Sequence, residues 1–271
     1  MRFALGRGAR FTAVALVIGF FALPIAYLLS VSFKTKDDVL TGDFLPHAPT
    51  PANWPGAFAA APLLTFLGNS IIVAVAAGVL AVAITLPAVY AVIRLGIGKK
   101  WLPQAVLSSY MAPPVVALIP LFFLFRTAGL INTHAGLILV EAVVNVPVAF
   151  WLLAPFVRRM PVEIEEAAAI DGASRIRTLL SVVLPVIAPG VAATTIIAIV
   201  LAYNEFLFAS AFSFSDATRT LPVGVSLFQG DRLVNFGQMA VASLSGVIPV
   251  YLVALLAQRW LVDGLSHGGV K

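Results

Sequence analysis

Apolar residues run through this chain in six long stretches separated by short polar segments. The stretches cover about 11–33, 66–94, 102–125, 135–157, 186–212 and 239–262. A helix that crosses a bilayer needs about 20 mainly apolar residues, so the pattern predicts six transmembrane helices. The second and fifth stretches are long enough to tilt or to extend past the hydrocarbon. Prolines interrupt several of them, at Pro24, Pro87, Pro113-Pro114, Pro120, Pro147 and Pro249. Such breaks are tolerated within a span when neighbouring helices satisfy the freed carbonyls. The expected class is an all-α polytopic membrane protein, a single transmembrane domain over 1–271.

One polar interruption stands out. Between the fourth and fifth stretches lie Glu163, Glu165, Glu166, Ala167, Ala168, Asp171 and Gly172, closed downstream by Leu184-Pro185. Pro161 suits a first helical position. The carboxylates then fall in the first turns, where they interact favourably with a helix N-terminus. Ala167 and Ala168 remove bulk, so another surface can approach closely. Asp171-Gly172 marks a turn or helix end. A second helical piece follows over 175–183, giving a helix-turn-helix parallel to the membrane. The residues alone leave two readings open: an ordinary charged loop helix, or a helix that docks into a partner.

Composition supports the membrane class. The chain has 271 residues, of which 61% are hydrophobic and 11% charged. Soluble domains carry about 25% charged residues, so this chain lacks the polar surface of a water-soluble globule; its mean hydropathy is +1.02. The net charge of +5 reads as topology. With the N-terminus inside, twelve Lys and Arg residues fall on the cytoplasmic side and five outside, in agreement with the positive-inside rule. Both termini and the Glu166 segment are then cytoplasmic. Arg2, Arg7 and Arg10 precede the first stretch, which at about 23 residues exceeds a signal h-region of about 7–15 and is expected to be an uncleaved span. The outer loop over 34–65 holds Pro46, Pro49, Pro51, Pro55 and Pro62, too many for regular helix throughout, and Trp54 is expected at headgroup level. The segment over 213–238, with Gly230-Asp231-Arg232, is expected to be a short outside connection.

Several chemistries are excluded. The chain has no cysteine, which removes disulfides, thiol catalysis and cysteine metal sites. His47, His134 and His267 are scattered and make no metal spacing. No phosphate-binding Gly-x-x-x-x-Gly-Lys-Ser/Thr loop is present, so the chain should not bind or hydrolyse ATP itself. No histidine falls in a span to serve Ser243 or Ser245, and these serines read as small residues for helix packing. No extended basic patch with interleaved aromatics suggests nucleic-acid binding. No catalytic residue, metal ligand or bound cofactor is expected.

Acidic residues within spans are costly and are functional candidates by default. Glu141 in the fourth stretch lies about 6 positions, roughly 9 Å, from the outer end. Glu205 in the fifth lies about 20 positions beyond Pro185, roughly 30 Å along a straight helix. Both are expected in the outer half, with Asn145 and Asn204 beside them. These four residues are candidates for a translocation path or gate, since carboxylates and amides suit sugar hydroxyls. Two alternatives stay open: mutual satisfaction of polar groups between helices, and a proton relay.

The polar interruption also carries a resemblance. The pattern Glu166-Ala167-Ala168-x-x-x-Gly172, followed by Val182-x-Leu184-Pro185, resembles the "EAA" signature of permease subunits of ABC importers, with Val182 where isoleucine is usual. Asn145-Val146-Pro147 with Trp151-Leu152-Leu153, Pro113-Pro114 through Pro120, Gly129-Leu130-Ile131-Asn132-Thr133, and Asn204-Glu205-Phe206-Leu207-Phe208-Ala209 resemble segments of the carbohydrate branch, the smaller six-span partner of maltose- and trehalose-type importers. Tyr203 stands where that branch has tryptophan. The ending Val262-Asp263-Gly264-Leu265-x-x-Gly268-Gly269-Val270-Lys271 resembles its C-terminus. The resemblance implies the type I ABC importer permease fold in a bacterial cytoplasmic membrane, with a core permease region over 66–262 and a coupling loop over 161–185. It assigns ATPase coupling to Glu165, Glu166, Ala167, Ala168, Asp171, Gly172 and Pro185. It also implies partners: a second homologous permease, two ATPase subunits holding ATP and magnesium, an extracytoplasmic sugar-binding protein or lipoprotein, and membrane lipid. The rivals are the same architecture serving glycerol phosphate or a polyamine, and an ion-coupled secondary transporter.

Overall fold

The structure, a computed structural model, describes residues 7–229 and 234–269. The expected Gly230-Asp231-Arg232 connection, Arg2, and the closing Val270-Lys271 lie outside the described residues. The described chain is helical: α1 Arg7–Ser32, α2 Lys36–Leu40, α3 Asn53–Ala60, α4 Leu63–Ile93, α5 Leu102–Met111, α6 Pro114–Thr127, α7 His134–Arg159, α8 Val162–Ile170, α9 Arg175–Thr178, a π-helical turn Leu179–Val183, α10 Leu184–Val186, α11 Ala188–Tyr203, α12 Leu207–Phe212, α13 Leu221–Ser226 and α14 Phe236–Gly269.

Among the described residues, four helices are long and apolar enough to cross a membrane singly, over Arg10–Ser32, Leu63–Ile93, His134–Arg159 and Phe236–Leu255. Two helix pairs, each bent at a short break, are apolar enough together, which gives up to six spans if each pair is one. The third stretch breaks between α5 and α6 at an angle of 100°. Ala112 and Pro113 are both extended there, and Pro114 starts the next helix. A residue before proline is pushed out of the helical region, so consecutive prolines turn the chain where a single one would only kink it. The fifth stretch is preceded by an 84° bend between Arg175–Val186 and Ala188–Tyr203.

The expectation of one helix over 186–212 is corrected at its far end. Helix α11 stops at Tyr203, the chain turns through Asn204, Glu205 and Phe206, and α12 begins at Leu207. The straight-helix depth of Glu205 is therefore too large. The helix that leads to it starts at Ala188, after the bend, and not at Pro185.

The chain packs as two compact units. One comprises residues 1–64 and 224–248, the other 65–223 and 249–271. In the first unit, α1 leaves most of its apolar surface uncovered, as a lipid-facing helix does. The outer loop folds around buried polar groups instead of a long helix. Lys34 is buried and its Nζ donates to the Asp43 carbonyl. Asn53 Nδ2 donates to the carbonyls of Ser32 at 3.1 Å and Lys34 at 2.8 Å. Trp54 packs its ring against Phe33.

In the second unit, α11 packs along α7, and α5 and α12 also pack on α7. Small residues line the contact of α4 with α11: Ala74, Ala77 and Ala81 meet Ala202 and Tyr203. A β carbon on Gly78 would stand 2.8 Å from the Ile199 amide nitrogen. Such close backbone approach is how spans associate where water gives no hydrophobic drive. A second cluster, at the end that the charge rule places in the cytoplasm, joins Leu86, Val89 and Tyr90 of α4 to Phe150, Leu153 and Val157 of α7, and to Leu179, Val183 and Ile187. This cluster anchors the base of the segment over 161–185.

Candidate coupling site

The segment over 161–185 forms the expected short helix, turn and second helical piece. Pro161 is extended and stands just before α8, so the first helical residue is Val162. Glu163 and Glu165 lie in the first turn. At the other end Asp171 caps the helix, the Gly172 N–H donates to the Ala169 carbonyl at 3.1 Å, and the Ala173 N–H donates to the Ala168 carbonyl at 2.9 Å. This pair of bonds is a Schellman motif, and it requires a left-handed residue at Gly172, whose φ is +77°. Ser174 then caps α9, its side chain accepting from the Arg177 N–H. The π-helical turn and Pro185 follow, with Pro185 itself exposed.

The adjacent glutamates have different surroundings. Glu165 is folded against α4: its Oε1 lies 2.7 Å from Arg94 Nε, and its Oε2 accepts from the Tyr90 hydroxyl at 3.0 Å. The ion-paired side chains are only 11% and 12% exposed. Arg94 Nη2 also donates to the carbonyl of Met160. Exposed ion pairs are worth about 0–1 kcal/mol, whereas breaking a buried one costs about 3–5 kcal/mol. The low exposure and the hydrogen bond from Tyr90 put this pair nearer the buried case. Glu166, Ala167, Asp171 and Gly172 are exposed, and Ala168 is half-buried.

Large apolar side chains of this segment are also exposed. Ile170 is 86% exposed and Ile176 is 72% exposed, with Val162, Ile164 and Leu180 also uncovered. Exposed charged residues lie beside them in the chain, Glu166 and Asp171 at α8 and Arg175 and Arg177 on α9, and α8 buries none of its own residues. Sequence reasoning missed Tyr90 and Arg94 in this site. Arg94 was weighed only as a topology charge, and a tyrosine inside an apolar run gives no separate signal.

Among the described residues, no hydrogen bond joins the side chains of the other four candidates to one another. Glu141 is fully buried in α7, and neither carboxylate oxygen has a hydrogen-bond partner among the described residues. Asn145 is buried and its Nδ2 donates to the Glu141 carbonyl at 2.9 Å. Asn204, at the end of α11, is exposed and donates to the Val200 carbonyl at 2.7 Å. Glu205, half-buried, accepts from the N–H groups of Phe208 at 3.0 Å and Ala209 at 2.9 Å. It thereby caps the start of α12.

A polar clasp near the outer ends of the same unit went unnoticed in the sequence. Asn132 Oδ1 accepts from the N–H groups of Phe214 and Ser215 and from the hydroxyls of Ser215 and Thr218. Asn69 donates to the Arg219 carbonyl at 2.9 Å and bonds His134 Nε2 at 2.9 Å. His134 is therefore occupied by packing. Among the described residues no group of His, Cys, Asp or Glu is arranged to hold a metal ion.

The described helices give up to six spans, and a short exposed helix stands on the side that the charge rule places in the cytoplasm. The chain belongs to the family of binding-protein-dependent transport system inner membrane components, whose model matches residues 83–267. It is 36% identical over 269 residues to the sulfoquinovosyl glycerol transport system permease protein SmoH of Agrobacterium fabrum, covering 98% of this chain and 94% of that one. It is 34% identical to the trehalose transport system permease protein SugB of Mycobacterium tuberculosis, covering 98% of each. It is also 34% identical to the trehalose/maltose transport system permease protein MalG of Thermococcus litoralis, over 92% of this chain and 91% of that one. Among solved structures, a chain of a bacterial ABC transporter that imports the acidic polysaccharide alginate superposes with a TM-score of 0.74 at 22% identity, covering 94% of this chain and 98% of that one. Together with the family match, that likeness establishes the type I permease fold.

Proposed function

We propose that this chain is a permease subunit of an ATP-driven importer of carbohydrate, of the di- or oligosaccharide class. The observation that carries the reading is helix α8, a nine-residue helix with no buried residue and a glycine-closed end, on the side that the charge rule assigns to the cytoplasm. The sugar class rests on relatives named for trehalose, maltose and sulfoquinovosyl glycerol. Binding of ATP to a separate ATPase pair closes that pair, α8 moves with it, and the spans exchange inward-open and outward-open arrangements. ATP drives this cycle only by binding one arrangement better than the other. A second permease, two ATPase subunits with their magnesium, and an extracytoplasmic sugar-binding protein complete the machine.

Within this reading Glu166, Ala167, Ala168, Asp171 and Gly172 meet the ATPase, and Pro185 closes the loop. The translocation path or gate is assigned to Glu141, Asn145, Asn204 and Glu205. The break at Asn204-Glu205 supports that assignment, because irregular backbone at membrane depth is tolerated only where it is buried in protein or lines a cavity. Glu205→Gln should slow transport; unchanged kinetics would leave Glu205 as a cap for α12 alone.

The deciding experiment is reconstitution in vesicles with and without the ATPase partner. Trehalose or maltose uptake that needs both the ATPase and internal ATP supports the importer. Uptake by this chain alone, driven by an ion gradient, would sink it.

A further inference from the structure

We propose that Arg94, Tyr90 and Glu165 form a strut that makes the coupling helix α8 and the span α4 move as one body. The inference rests on the reading of α8 as the ATPase-docking helix and assigns Glu165 a different task from Glu166: it positions the helix and does not touch the ATPase.

The need for a strut follows from how α8 is held. Both of its flanks are non-helical. Met160 and Pro161 are extended on one side, and Gly172 is left-handed on the other. The helix buries none of its own residues, so apolar packing does little to fix it. A load applied to such a helix would be absorbed by rotation at Met160-Pro161, and the spans would not feel it.

The triad closes that hinge. Arg94, just past the end of α4, holds the hinge and the helix with one side chain: Nη2 donates to the Met160 carbonyl, and Nε meets Glu165 Oε1 at 2.7 Å. Tyr90, one turn earlier and buried in the apolar cluster with Leu153, Val157 and Leu179, holds the second carboxylate oxygen at 3.0 Å. The carboxylate is thus held at both oxygens from one segment, by the Arg94 charge at Oε1 and by the Tyr90 hydrogen bond at Oε2. A hydroxyl donating to a carboxylate is a charge-assisted bond, and the ion contact beside it lies between two nearly covered side chains. Glu166, one residue further on, is exposed and contributes nothing to this hold.

The test uses the complete importer, purified through a tag on this chain. The chain has no cysteine, so spin labels can be placed at Ala169→Cys on α8 and Ile84→Cys on α4, both at exposed positions. The inter-label distance is read without nucleotide and after trapping with ATP and vanadate. The expected result is one narrow distance, the same in both states. In Glu165→Gln or Arg94→Gln complexes that single distance is lost on trapping and replaced by a broad distribution, while the ATPase subunits still co-purify. The exchange Arg94→Glu with Glu165→Arg restores the ion pair but not the bond to the Met160 carbonyl, and so recovers the single distance in part, above either single variant. Tyr90→Phe, which removes one hydroxyl and no packing volume, gives a smaller broadening in the same direction.

A distance that changes between states without any substitution overturns the strut, as does an unchanged narrow distance in Glu165→Gln and Arg94→Gln. Loss of the ATPase from Glu165→Gln complexes also overturns it, since Glu165 would then be a docking contact. Failure of the docking reading itself shows elsewhere: Glu166→Lys and Ile170→Glu complexes would keep their ATPase in full amount.

Discussion

Glu165 and Glu166 are neighbours in sequence, yet the first is folded onto Arg94 and Tyr90 of the span and the second stands free in solvent. Their substitutions should therefore separate. Glu166→Lys reverses a charge beside the exposed Ile170 and should reduce ATPase retention while the chain still inserts in the membrane. Loss of one interface charge contact costs up to about 2–5 kcal/mol when that contact is buried in the complex. Quantifying ATPase subunits co-purified with the tagged chain reads the effect; full retention would remove Glu166 from the docking surface.

Gly172 has φ of +77° and open space around the position of a β carbon. Its requirement is thus conformational, with no steric clash involved. Gly172→Ala and Gly172→Leu should cost similar amounts, about 1–2 kcal/mol of helix-end stability, and Gly172→Asn less. Stimulated ATPase activity should follow the same order. If Leu were much worse than Ala, side-chain bulk against the docked partner would be the governing term.

Asn132 combines a left-handed backbone, φ of 60°, with a side-chain oxygen that gathers donors from Phe214, Ser215 and Thr218. Asn132→Ala leaves those donors without their acceptor, a cost of about 1–3 kcal/mol, and Asn132→Asp keeps an acceptor in place. Limited proteolysis within 213–218 should accelerate clearly in the alanine variant and little in the aspartate variant. Equal protection in both would assign the order of this segment to the apolar packing of Phe212 on Phe122 and Phe125.

His47 lies between two acids in the outer loop. Its Nδ1 is 2.8 Å from Asp38 Oδ1 and its Nε2 is 3.5 Å from Asp43 Oδ2, while its own N–H donates to Asp38 Oδ2 at 2.9 Å. The hydrogen bond from the ring raises the His47 pKa above 6.5 and lowers that of Asp38 below 3.8. The histidine contribution is complete below its unfolded value and disappears as pH rises through the raised one. The aspartate contribution is complete above its unfolded value and disappears as pH falls through the lowered one. The loop should therefore be held best between about pH 4 and 6.5. Hydrogen-exchange protection factors over 38–47 should be higher at pH 5.5 than at pH 8.5, and His47→Gln should flatten the difference.

Long apolar runs located the starts of the four unbroken spans within a few residues, because burial in lipid demands a composition that is visible one residue at a time. Gly172 and Asp171 were legible for a similar local reason: a helix end has its own residue chemistry. The turn at Asn204-Glu205 was not legible, because two polar residues in an apolar run look the same whether the helix continues or stops. The backbone bonds that Glu205 accepts from Phe208 and Ala209 are what distinguish the two cases. Arg94 and Glu165 are far apart in the chain, so their pairing depends on how α4 and α7 pack. Sequence alone assigned one to topology and grouped the other with the docking residues.

The π-helical turn over Leu179–Val183 has a consequence of phase. Such a turn holds one residue more than the α-helical path it replaces, and each residue of an α-helix advances about 100° around the axis. In a regular helix an extra residue would therefore turn Ile176 and Arg177 to a different quarter of the surface. The wide turn takes up that residue locally, so the segment on its N-terminal side keeps its phase relative to α10. Deleting a single residue there should leave the direction of Ile176 and Arg177 nearly unchanged, where the same deletion in a regular helix would swing it by about 100°.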